Sequence, residues 1–186
     1  MKTILSITLL SFFLASCGSS NNEKAVSDTT TVDTAHSDSS AEKPAEKKEN
    51  WNYSEEEDKM TSKKNYFASV DANELLNFEF PYNGGSTATL WVRKVNGKGD
   101  IVLAISKGQF ITKYDGTSFK VRFDDKPAKS FQVSGASDGS SDVVFFNYNS
   151  MIDKIKSSKR VIIQAEFYQE GLRAIEFNTE GLRWNR

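Results

Sequence analysis

"TATLWVRKVNGKGDIVLAIS" (87–106) decides how the chain is read. In its first half Leu90 and Val92 fall on one side of an extended chain, and Trp91 and Arg93 on the other. That is the period of two of a strand with unlike faces. Asn96-Gly97-Lys98-Gly99 interrupts the pattern, and "DIVLAIS" (100–106) resumes it. Two such runs across a short Asn-Gly loop predict a β-hairpin.

The same period recurs on both sides. "NYFASVDA" (65–72) and "LLNFEF" (75–80) precede the hairpin, the latter with Leu76, Phe78 and Phe80 alternating, and "PYNGG" (81–85) turns the chain. "GQFITKY" (108–114) and "SFKVRFDD" (118–125) read as a pair around Asp115-Gly116, followed by "SFQVSG" (130–135), "DVVFFNY" (142–148), "RVIIQAEFY" (160–168) and a last strand in "LRAIEFNTEGLRW" (172–184). One segment departs from the pattern. "NSMIDKIKSSKR" (149–160) spaces Met151, Ile152 and Ile155 for a helix near 150–158, with Ser150 and Asp153 as a capping box and basic residues at its end. The expected fold is mostly β: a β-sandwich or open barrel of roughly nine short strands with one short helix. "FNTEGLRW" keeps Phe177, Leu182 and Trp184 at the chain end, so Trp184 is expected to close the core.

Residues 51–186 hold 20 Phe, Trp and Tyr residues, enough for one β-rich globular domain with one core. Their 19 Lys and Arg nearly balance 18 Asp and Glu, which argues against nucleic acid as a partner. Residues 18–50 contain no aromatic residue, Leu or Ile, but ten Ser and Thr and seven Asp and Glu. They cannot bury enough apolar surface to order themselves and predict a tether with a reach of about 30 Å. The sole histidine, His36, lies in it.

Before the tether, Lys2 precedes an apolar run, Ile4 to Leu14, and then Ala15-Ser16-Cys17. Residues 1–16 have the form of a signal peptide, too short to stay as a membrane span. Leu14-Ala15-Ser16-Cys17 resembles the lipobox of bacterial lipoproteins. The resemblance implies that the thiol of Cys17, the only cysteine, carries diacylglycerol and becomes the mature N-terminus. Two or more acyl chains hold a protein stably on a membrane. Gly18 after the cysteine, where Asp would favour the inner membrane, and the lack of a following acidic run imply the outer membrane, facing the periplasm.

Few residues of the chain point to chemistry. The domain has neither Cys nor His, which excludes Ser-His-Asp and Cys-His sites and the common zinc sets; there is no phosphate-binding glycine motif. No metal and no cofactor is implied. Asp124-Asp125 is the one carboxylate pair of interest. Neighbouring strand residues point to opposite faces, and "DDKP" reads as a turn. Asp138 to Asp142 has half the spacing of a calcium loop without its glutamate. Glu55-Glu56-Glu57-Asp58, beside Trp51 and Tyr53, is either a face for a basic partner or an acidic edge that prevents aggregation. Arg93, Arg122, Arg173 and Arg183 sit among aromatics, where an arginine stacks, pairs with a carboxylate or points to solvent.

The order of landmarks carries a second resemblance. Trp51, "FEFPY" (78–82), a strand ending in Arg93, "VRFDDKPAKSF" (121–131), a helix, and "IEFNTEGLRW" (175–184) are similar to the periplasmic domain of type VI secretion-associated proteins of the TagO/VasI kind. The matching residues are Arg93, Val121 to Asp124, Phe177, Gly181 and Leu182. Lys94 stands where that family has a cysteine, so its disulfide is not available here. The expected function is a membrane-anchored binding module of an envelope complex and not an enzyme, with Trp51, Tyr53, Arg93, Arg122 and Asp124 as interaction residues. A small-ligand or carbohydrate binder is the alternative, and a carboxylate-dependent hydrolase a third class.

Overall fold

The computed structural model describes residues 49–186. Cys17, the leader over 1–16 and nearly all of the 17–50 tether lie outside the described residues. Nine strands, β1 (Asn52–Glu57), β2 (Lys64–Asp71), β3 (Ala88–Val95), β4 (Lys98–Ile105), β5 (Thr117–Phe123), β6 (Lys129–Gly135), β7 (Val143–Phe146), β8 (Arg160–Phe167) and β9 (Gly171–Asn178), form one sheet. Their order is β1-β2-β3-β4-β7-β6-β5-β8-β9, every pair antiparallel. The sheet curls round a single core without closing into a barrel, in keeping with the mostly β expectation.

The 87–106 hairpin is β3 and β4, joined at Asn96 and Gly97, both at positive φ, the backbone an Asn-Gly turn supplies. Its alternation is faithful. Leu90, Val92, Ile101 and Leu103 are buried on the inner face, while Trp91 and Arg93 are half-buried on the other. At one end the core is a run of tilted rings. Phe78 and Phe110 each meet Phe167 (5.0 and 4.9 Å between centroids), Phe110 meets Phe119 at 5.8 Å, and Phe119 meets Phe146 at 6.1 Å. Ring pairs at these separations add about 0.5–1.5 kcal/mol each beyond their burial.

The helix α1 (Tyr148–Lys156) buries Met151, Ile152 and Ile155 as expected, but it starts earlier than the capping box placed it. Asn147 is the N-cap, its side-chain carbonyl accepting from Ser150 N at 3.1 Å, so Ser150 is already inside the first turn. Tyr148 lies against Gly99 so closely that a Cβ there would sit 2.7 Å from the ring. Its hydroxyl accepts from Trp184 Nε1 at 2.8 Å, and Trp184 is 4% exposed. The chain end does close the core, with Phe177 and Leu182 buried beside it in the same cluster.

Two expected strands are different in kind. In 75–80 only Leu76 bridges, to Ser86, and Phe80 is 84% exposed; Leu76 and Phe78 keep the burial their alternation implied. Within 108–114 only Phe110 bridges, and to Phe167 rather than into a hairpin with β5. The reason is room on the ladder. β5 is taken on both sides by β6 and β8, so residues 109–111 find their partners elsewhere: Gln109 and Ile111 at the end of β8 beyond it, and Phe110 N at Ser141 O. The strand that the apolar pattern did not supply is β1, whose six residues are all exposed. It lies at the sheet edge, so the acidic run there is an edge strand.

Candidate functional site

The outer face of β2, β3, β4 and β7 carries Arg93, one of the five interaction residues expected from the sequence. Cross-strand register lines its residues in rows. Phe67, Arg93 and Asp100 form one, Ser69, Trp91, Val102 and Phe145 the next, and Thr89, Ala104 and Val143 a third. Side chains opposite one another on one face lie about 5 Å apart, so the rows make a continuous surface. Phe67, Trp91, Ala104, Val143 and Phe145 are half-buried, and Val102 beneath them is buried. Phe67, Trp91, Val102, Ala104 and Val143 line, with Arg93, a shallow apolar cleft of about 280 Å³, and Phe145 lies in the row of Trp91 and Val102 beside it.

Arg93 is the polar group of this surface. Its guanidinium lies 5.2 Å from the centre of the Phe145 ring, and Nη2 is 3.5 Å from Asp100 Oδ2. Nε is buried and makes no hydrogen bond. A partly exposed ion pair contributes about 0–1 kcal/mol and an exposed cation–π contact about 0.5–1 kcal/mol. A buried donor left unmade costs about 1–3 kcal/mol. These terms nearly cancel, so the contacts of Arg93 contribute little net stability.

The other expected interaction residues have structural partners. Trp51 is 3% exposed and donates Nε1–H to Thr179 O at 3.1 Å, tying the start of the domain to its end. The Tyr53 hydroxyl accepts from Arg183 N at 2.9 Å and donates to Gly181 O at 3.4 Å, holding the same tail. Arg122 donates from Nε to Asp124 O at 3.0 Å. Asp124, at φ +50°, accepts on Oδ1 from Lys159 N and Arg160 N at 2.9 and 3.0 Å. Those N–H groups, that of Arg160 first, hold its carboxyl below the usual range. Asp125 takes Arg160 at 2.8 Å and Arg122 at 3.7 Å. Asp124 and Asp125 thus pin the β5–β6 turn to β8 and do not converge on a common point. Arg93 stands apart from this corner, and the structure does not bring the five residues together.

Sequence reasoning missed Phe67, Val102, Val143 and Phe145 as parts of the Arg93 surface. Each sits in a strand already recognised; what was lacking was the β2–β3 pairing that brings Phe67 to Arg93 and the β4–β7 pairing that brings Val143 and Phe145 beside Val102. No group of three or more His, Cys, Asp or Glu side chains among the described residues could hold a metal ion. No helix among the described residues is long and apolar enough to cross a membrane. No family model, no curated protein and no solved structure matches this chain.

Proposed function

We propose that this chain is a lipid-anchored protein of the bacterial envelope whose β domain binds a protein partner through the outer face around Trp91 and Arg93. The observation that carries the reading is an apolar, ring-rich sheet face whose cleft is lined by one charged group, Arg93, with a buried Nε that makes no hydrogen bond. Aromatic and arginine side chains are the types that dominate protein interfaces. The interior is filled by the core side chains, and the outer cleft is shallow, which favours a flat protein contact over an enclosed small molecule. Anchoring rests on Cys17, with the tether giving the domain room to search near the outer membrane on its periplasmic side. A place beside a type VI secretion machine is the narrower form of this reading, resting on the resemblance of Arg93, Val121 to Asp124 and the Phe177 to Leu182 ending.

Two measurements test it. Cys17→Ser should abolish palmitate labelling and release the protein from membranes; a labelled, membrane-bound variant refutes the anchor. A photocrosslinking residue placed at Trp91 in cells should give a discrete adduct that Arg93→Glu removes, with no such adduct from exposed Tyr114. Equal adducts from both positions refute the docking face.

A further inference from the structure

The curled sheet is left unzipped along one line. The chain from Ala72 to Glu79 continues past β2 and runs antiparallel beside β9, in front of its outer edge. It is fastened at two places. At one, Ala72 bridges Phe177 and Asn73 N donates to Glu176 O at 2.8 Å. At the other, Glu79 N donates to Glu170 Oε1 at 2.6 Å, a side chain taking the place of a backbone carbonyl. Between them no backbone hydrogen bond joins the 74–78 segment to β9 among the described residues. The open stretch, Glu170 to Glu176, is about 20 Å long at the ordinary rise of a strand.

The Glu176 carbonyl points away from β8, so by the alternation of an antiparallel edge the N–H and C=O groups of Ala174 and Leu172 point the same way, into the seam. Both residues are exposed. Beside them lies a groove of about 320 Å³ whose lining includes Asn73, Glu74, Leu75, Ile162, Ala174 and Glu176. No Lys or Arg lines it. Asn73 Nδ2 occupies one oxygen of Glu176 at 3.1 Å, and Glu74 makes no ion pair among the described residues. Leu75, 57% exposed, offers apolar contact in its lining.

We propose that this seam is a strand-acceptor site for a short extended peptide of a partner, pairing with the β9 edge at Leu172 and Ala174 and placing a Lys or Arg between Glu74 and Glu176. Unpaired edge groups select a peptide backbone, an apolar side chain reaches the exposed Leu75, and the two carboxylates select a positive charge. The site shares no lining residue with the Trp91 cleft and stands or falls separately from it.

The test is amide hydrogen exchange on the full chain in detergent micelles. The probes are a seven-residue peptide of alternating Val and Lys, its Val–Glu counterpart, and the Val–Lys peptide with alternate amides N-methylated. The Val–Lys peptide, at up to millimolar concentration, should slow exchange at Leu172 and Ala174 at least tenfold. N-methylation should abolish the effect, and the Val–Glu peptide should bind at least tenfold more weakly. Ala174→Pro removes an N–H that faces the seam and leaves the β8 ladder whole, so it should keep the fold and lose the protection. If that variant does not fold, Glu74→Gln with Glu176→Gln serves in its place and should weaken Val–Lys binding about tenfold. No protection by the Val–Lys peptide, protection that survives N-methylation, equal binding of the two charge types, or protected Leu172 and Ala174 amides before any peptide is added each overturns the proposal.

Discussion

Strand β3 presents two faces of almost equal apolar content, and they are finished differently. On the inner face Leu90 and Val92 are wholly buried and meet a core to which every strand from β2 to β9 contributes. On the outer face Trp91 and Arg93 stop half-way: rings cover Val102, and above them lies an open cleft. The Asp124 corner sharpens the contrast. It too sets Arg beside Asp near a strand end, but there Asp124 takes two N–H groups and Asp125 two guanidinium groups. The two Arg–Asp settings share residue types and differ in how completely their contacts are made.

The inner face should break hardest. Trp184→Ala removes a buried indole and strands the Tyr148 hydroxyl that accepted its N–H, so a loss of about 3–5 kcal/mol is expected by chemical denaturation. A loss below about 1 kcal/mol would show that the chain end does not seal the core. Gly99→Ala attacks the same joint from the other side. The new methyl group would have to displace the Tyr148 ring, which is held by the helix and by Trp184, and overpacking of this kind costs about 1–3 kcal/mol. Unchanged stability would mean that Tyr148 moves freely and that α1 is not locked to the hairpin.

The Asp124 corner lies between the extremes and has a pH signature. Its carboxyl is held below the ordinary value of 3.8, so its contribution is complete above that value and is lost as pH falls through the lower folded value. Glu170, held down by Glu79 N–H and then by Arg173, acts in the same direction. The unfolding midpoint of the wild type should therefore fall between about pH 5 and pH 2, and more shallowly in Asp124→Ala. Asp124→Asn, which keeps an acceptor oxygen and tolerates a positive φ, should be the milder change at neutral pH. Parallel pH curves for the wild type and Asp124→Ala would remove the corner from the acid transition.

How much of this was open to reading from the chain depends on range. The β3–β4 hairpin, the buried face of the helix and the sealing role of Trp184 follow from local period and from apolar groups kept at a terminus. β1 did not declare itself, because an edge strand exposed on both faces has no apolar alternation to show. The 75–80 run carried the right alternation and still lies mostly outside the ladder: Leu76 bridges to Ser86, and the segment does not pair with the β9 edge beside it, so an apolar pattern alone does not fix pairing. The candidate site was visible only as Arg93. Phe145 is brought to it by β4–β7 pairing across some forty residues and Phe67 by β2–β3 pairing, neither of which a local period encodes.

The smallest expected effect on stability is the most telling for the comparison. Arg93→Met keeps a long side chain over Phe145 and removes both the charge and the buried Nε that lacks an acceptor. What it gives up is a 3.5 Å pair with Asp100, itself 39% exposed and so free to be solvated. The gain and the loss are each about 1 kcal/mol, and the net change in unfolding free energy should lie within about 0.5–1 kcal/mol of zero, of either sign. Trp91→Ala should cost more, because it uncovers Val102, yet less than Leu90→Ala on the opposite face of the same strand, for which about 2–5 kcal/mol is expected. In cells the ranking should invert: Arg93→Met should weaken crosslinking through the outer face at least several-fold, while Leu90→Ala lowers it only in proportion to the folded protein that remains. A loss above about 2 kcal/mol for Arg93→Met would place this arginine among the structural contacts, with Asp124, and would remove the distinction on which the docking face rests.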